Sequence, residues 1–77
     1  MEKEKFLENV IEILEIEDSS SINESTNFKE LDEWDSLTAL STISMVDEEC
    51  GVTITNKDLK SVENLGELYN LIIERTK

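Results

Sequence analysis

Histidine and proline are missing from this chain of 77 residues, cysteine occurs once, and seven basic residues stand against nineteen acids. Each shortage closes off a class of chemistry. Without histidine there is no imidazole general base, no serine-histidine triad and no histidine metal site. The lone cysteine, Cys50, allows no internal disulfide and no cysteine zinc site. A net charge of −12 repels phosphate backbones, so the surface as a whole is not expected to bind nucleic acid. No apolar run approaches the roughly 18 residues of a membrane span, and no membrane insertion is expected. The opening stretch, Met1-Glu2-Lys3-Glu4-Lys5-Phe6, lacks the apolar segment of a secretory signal. The expectation is a small cytoplasmic protein that works with something basic. No Asp-x-Asp-x-Asp-Gly loop is present either, so no metal site is expected among the acids.

Hydrophobic residues make up 38% of the chain, enough for one small core. We expect a single domain over 1–77, marginally stable and further loosened by self-repulsion. Phe6, Leu7, Val10, Ile11, Ile13 and Leu14 recur at three to four residues, which predicts an amphipathic helix over Glu2–Glu15. Glu17 to Asn27 is rich in Ser, Asn and Asp and reads as a loop, anchored by Ile16 and Ile22 and then by Phe28 and Leu31. Asp35 is placed to cap a second helix, Ser36–Cys50, with Leu37, Leu40, Ile43 and Val46 as its apolar stripe and Met45 beside it. Gly51 follows where a left-handed residue ends a helix. Val52 to Thr55 has no partner strand and is an extended connection. Thr55 with Asp58 opens a short helix ending at Lys60 or Ser61. Asn64 with Glu67 opens the last helix, whose apolar face is Leu65, Leu68, Tyr69, Ile72 and Ile73. The fold class is all-α: three main helices, with one short helix before the last.

The segment Glu33-Trp34-Asp35-Ser36-Leu37 carries the chemistry. A serine at the first position of a helix has an exposed hydroxyl at the positive end of the helix dipole, a favourable place for an attached phosphodiester. Ser36 has no base of its own, so it is not a self-activated nucleophile of the hydrolase kind. Any modification of Ser36 must be made by another enzyme.

Together with these residues, the chain resembles the acyl carrier protein family. The likeness rests on Asp35-Ser36-Leu37 opening a helix, Phe28 eight residues ahead of the serine, and the acidic run Asp47-Glu48-Glu49 near the end of that helix. Ile54 and the start of the short helix fall at matching distances from the serine, and the first helix agrees in length and polarity. The resemblance implies an acyl-carrier-like four-helix bundle and a non-enzymatic protein. It implies that a phosphopantetheinyl transferase moves 4′-phosphopantetheine from coenzyme A, with Mg²⁺, to Ser36, flanked by the motif residues Asp35 and Leu37. Acyl groups would then ride as thioesters on that arm between an acyl-loading ligase or synthase and downstream acyl-transfer enzymes, the carrier itself remaining a monomer. Cys50 replaces a bulky apolar residue of the family and is expected to be a small core residue, not the acyl-bearing thiol.

Two departures bear on the partners. The family commonly has Leu-Gly-x-Asp-Ser-Leu, whereas this chain has Leu31-Asp32-Glu33-Trp34-Asp35 before its serine. The family also places acids early on the exposed face of the second helix, where this chain has Thr38, Ser41, Thr42 and Ser44. Its acids lie before the serine at Glu30, Asp32 and Glu33, and after it at Asp47, Glu48 and Glu49. Candidate docking residues are Glu33, Trp34, Thr38, Ser41, Asp47, Glu48 and Glu49, with Trp34 either facing a partner or folding back beside Phe28. These departures suggest a dedicated carrier of a specialised lipid or polyketide pathway. A D-alanyl, aminoacyl or peptidyl carrier, and an acidic helical interaction module without pantetheine, are the competing readings.

Overall fold

Side chains cap three of the four helix starts, Asp35, Thr55 and Asn64 doing so for the second, third and fourth helices. The computed structural model describes residues 2–76; Met1 and Lys77, the ends of the expected domain, lie outside the described residues. It contains α1 (Lys3–Leu14), α2 (Ser36–Cys50), α3 (Asn56–Ser61) and α4 (Leu65–Thr76), and no strand among the described residues. Helix α1 is one residue shorter at each end than the periodicity predicts. Glu2 is extended, and Glu15 turns left-handed at φ 55° while its N–H donates to the Glu12 carbonyl. A β-carbon in that conformation costs about 1–2 kcal/mol. Gly51 closes α2 with φ 66°, the conformation glycine adopts without that penalty.

The long connection between α1 and α2 is fastened rather than loose. It holds two 3-10 turns, Ser19–Ser21 and Phe28–Glu30, begun by Asp18 and Asn27 side chains that accept from Ser20 and Lys29 N–H groups. Its backbone also completes α4. Leu65 N–H donates to the Thr26 carbonyl at 3.1 Å and Gly66 N–H to the Glu24 carbonyl at 2.8 Å, so two amides left over at a helix start find partners in the loop. Gly66 permits this approach, because a β-carbon there would stand 3.0 Å from the Glu24 carbonyl oxygen.

Phe6, Val10 and Leu14 of α1, Ala39, Thr42 and Val46 of α2, and Leu65, Leu68 and Ile72 of α4 meet in one core. Ile22 and Phe28 from the long connection, Val52 and Ile54 from the extended one, Leu59 and Val62 complete it. The buried face of α2 differs from the expected one. Leu37 is 72% exposed and Leu40 56%, whereas Thr42, expected on the outer face, is 1% exposed. At about 100° per residue, positions 39, 42 and 46 fall within roughly 60° of one another, while position 37 lies about 160° away from 39. Thr42 is tolerated inside because its hydroxyl donates to the Thr38 carbonyl at 2.8 Å, leaving its methyl group for the core. Ile43 is half-buried rather than enclosed, as is Cys50, and both pack against the core.

Candidate functional site

Ser36 stands at the first position of α2 with its side chain exposed, and the residues around it fix that position. Asp35 is extended, and its Oδ1 accepts from Thr38 N–H at 2.9 Å. Thr38 returns the contact: its Oγ1 accepts from Asp35 N–H at 2.8 Å and donates to the Asp35 carbonyl at 2.9 Å. This reciprocal cap closes the helix start with Ser36 and Leu37 held between its two members. The Asp35-x-x-Thr38 spacing was the available sequence signal for Thr38, although threonine stands where glutamate is usual. Thr38 was expected as a docking residue, and the structure commits its hydroxyl to the cap.

Trp34 folds back. Its ring meets buried Phe28 edge-on, with centroids 4.8 Å apart and planes at 69°, and the backbone N–H of Trp34 donates to the Leu31 carbonyl. The entry to α2 is thereby fastened to the core from two residues before the serine. Lys29 extends the anchoring by donating from Nζ to the Lys60 carbonyl at 3.2 Å, near the end of α3. On the far side of α3, Asp58 accepts Thr55 N–H and a two-pronged contact from Arg75 of α4 at 2.7 and 2.8 Å. The Arg75 hydrogen bonds first, and the Thr55 N–H second, hold the Asp58 carboxyl down at about 2. This clamp fastens the start of α3 to the end of α4.

The other expected docking side chains are where partners could reach them. Glu33, Ser41, Asp47, Glu48 and Glu49 are all exposed. An open groove of about 750 Å³ runs between α1 and α2, lined by Ser41, Glu48 and Glu49 and by the exposed Leu37 and Leu40. Helix α1 contributes Ile13 and Glu12 to the same groove. The periodicity puts Ile13 on the apolar face of α1, but the structure leaves it half-buried at the groove, and nothing in α1 alone marks Glu12 or the side facing α2. Among the described residues no group of three His, Cys, Asp or Glu side chains is arranged to hold a metal ion.

Chemically, the site offers an exposed primary hydroxyl at the positive end of a 15-residue helix, in a frame tied to the core. Asp35, the nearest carboxylate in sequence, is turned into the cap by Thr38 N–H. The arrangement fits a phosphodiester at Ser36 and supplies no base that would let Ser36 react unaided. A family model described as "phosphopantetheine attachment site" matches residues 4–72. Neither the curated proteins nor the solved structures yield a match to the chain.

Proposed function

Since the chain belongs to the phosphopantetheine attachment family, whose members carry covalently bound 4′-phosphopantetheine, we propose that it is an acyl carrier protein with Ser36 as its attachment point. The observation that carries this reading is the exposed Ser36 hydroxyl at the capped start of α2, within a match that spans nearly the whole chain. When bound, the arm supplies the thiol on which acyl groups are held as thioesters. The chain's own residues bind and orient. Asp35 and Thr38 hold the helix start open around Ser36, Trp34 and Phe28 fix the approach to it, and Leu37 stays exposed beside it. Tethering then raises the concentration of cargo at each docked enzyme without any catalytic group on the carrier.

Domains of this family are generally non-catalytic, and we take this chain as one non-enzymatic, monomeric carrier domain of the cytoplasm. No described helix is long and apolar enough to cross a membrane. Its partners are a phosphopantetheinyl transferase, an acyl-loading ligase or synthase, and downstream acyl-transfer enzymes. Glu33, Ser41, Asp47, Glu48 and Glu49 meet them with exposed side chains, and Trp34 and Thr38 with the part of their surfaces left outside. The Asp35-Ser36-Leu37 spelling favours acyl over peptidyl cargo. The hydroxyls of Ser41 and Ser44, where fatty-acid carriers have acids, favour a dedicated pathway over general fatty acid synthesis.

Incubation with coenzyme A, Mg²⁺ and a broad-specificity phosphopantetheinyl transferase tests the carrier role. The intact mass should rise by one phosphopantetheine, and an unmodified protein would overturn the reading. General fatty-acid elongation enzymes should then use the loaded protein less well than a carrier with an acidic second helix. Equal rates would remove the dedicated-pathway part.

A further inference from the structure

We propose that Lys29, Lys57 and Lys60 form a basic patch that meets an acidic spot on the phosphopantetheinyl transferase, a contact opposite in sign to any made by the acids of α2. The enzyme follows from the carrier reading, on which this contact depends. Bases are scarce in the chain and unevenly placed. Glu30 to Asn56 holds seven acids and no base, whereas Lys29, Lys57 and Lys60 are three of the seven bases. Lys57 and Lys60 stand three residues apart on α3, which puts them on one face, and both are exposed. Lys29 joins them from the turn Phe28–Glu30, its Nζ donating to the Lys60 carbonyl at 3.2 Å.

The fold itself makes little use of the charges at 57 and 60. Asp58, the acid between them, does not neutralise them, because its carboxylate is taken up by Arg75 of α4. Lys57 lies in the first turn of α3, where the positive helix end disfavours a cation. No ion pair among the described residues involves Lys57 or Lys60. The patch is also strapped to the segment leading to Ser36, since Phe28, the neighbour of Lys29, packs against Trp34. An ordinary interface of about 800 Å² per partner is about 30 Å across, and the molecule measures 32 × 23 × 20 Å. An enzyme seated over Ser36 therefore extends beyond α2. Glu30 and Glu63 flank the patch in sequence and limit it to one spot. Nucleic acid and anionic lipid are poor occupants, because each brings extended negative charge against a net −12. A folded enzyme can set an acidic spot beside basic ones and answer both signs.

The test is the steady-state loading of Ser36 by a broad-specificity phosphopantetheinyl transferase with coenzyme A and Mg²⁺. Lys57→Glu and Lys60→Glu should each raise the KM for the carrier about fivefold with kcat unchanged, and Lys57→Gln and Lys60→Gln should raise it less. Lys5→Glu makes the same change in net charge at an exposed position of α1 and should leave KM unchanged or lower it. Bulk charge alone predicts the opposite sign at α3, because an added acid strengthens attraction to a basic enzyme. An unchanged or lower KM in Lys57→Glu and Lys60→Glu, or an equal rise in Lys5→Glu, would overturn the proposal. If either glutamate variant loses stability in urea, the glutamine pair decides by the same signs. Failure here is distinct from failure of the carrier reading: variants loaded at the parental KM remove only the patch, whereas a parent that gains no phosphopantetheine removes the carrier.

Discussion

Thr38 and Asp58 show how single side chains hold this small fold in a usable form. Thr38 answers both the N–H and the carbonyl of Asp35, so Thr38→Val removes half of the cap while keeping the shape of the side chain. A stability loss of about 1 kcal/mol is expected in urea unfolding, together with slower modification of Ser36 as the helix start frays. A variant as stable as the parent would take the cap out of the account. Asp58 has a carboxyl lowered from its ordinary 3.8 to about 2 by Arg75 and Thr55. Its ionised form therefore stabilises the fold above about pH 4, and that contribution disappears as pH falls toward 2. Asp58→Asn should be less stable than the parent at neutral pH, with the gap narrowing between about pH 4 and pH 2. A gap that stays constant across that range would show that the Arg75 clamp contributes nothing through charge.

At the scale of elements, α2 is the helix whose orientation decides what the protein shows to others. Its buried line is Ala39, Thr42 and Val46, and its leucines at 37 and 40 face outward. Val46→Ala should cost about 2 kcal/mol through lost burial and a small cavity. Leu40→Gln should change stability by no more than about 0.5 kcal/mol. The opposite ranking in thermal or urea unfolding would restore the leucines to the core. Residue type alone points the wrong way in α2, because threonine counts as polar and leucine as apolar. The hydroxyl of Thr42 is satisfied within its own helix, and nothing in the local pattern reveals that. Helix starts were legible for the complementary reason: Asp35, Thr55 and Asn64 act on N–H groups three residues away, within the reach of local sequence. The fastening of the long loop to α4 was not legible, since Glu24 and Thr26 take part through carbonyls that every residue possesses. The exposed position of Ser36 at the start of α2 could be read from Asp35 and the apolar run behind it, whereas the α1 side of the groove appears only when the helices are packed.

The whole molecule combines a net charge of −12 with a radius of gyration of 11.2 Å. That radius is close to the screening length of about 10 Å at 0.1 M salt, so repulsion is felt across the entire fold at low ionic strength and fades as salt is added. Two opposite responses follow. Unfolding stability should rise with added NaCl as self-repulsion is screened, while loading of Ser36 should slow as attraction to a basic transferase weakens. A loading rate indifferent to salt would remove the acids from partner encounter. The scarcity of bases thus makes both the stability of the fold and its encounter with a basic partner testable through salt. The central claim is that one hydroxyl, that of Ser36, takes the arm. Its most direct measurement is the intact mass of the parent, Ser36→Ala and Ser41→Ala after exposure to coenzyme A, Mg²⁺ and the transferase. The account predicts a gain of one phosphopantetheine in the parent and in Ser41→Ala and none in Ser36→Ala; a gain that persists in Ser36→Ala would contradict it.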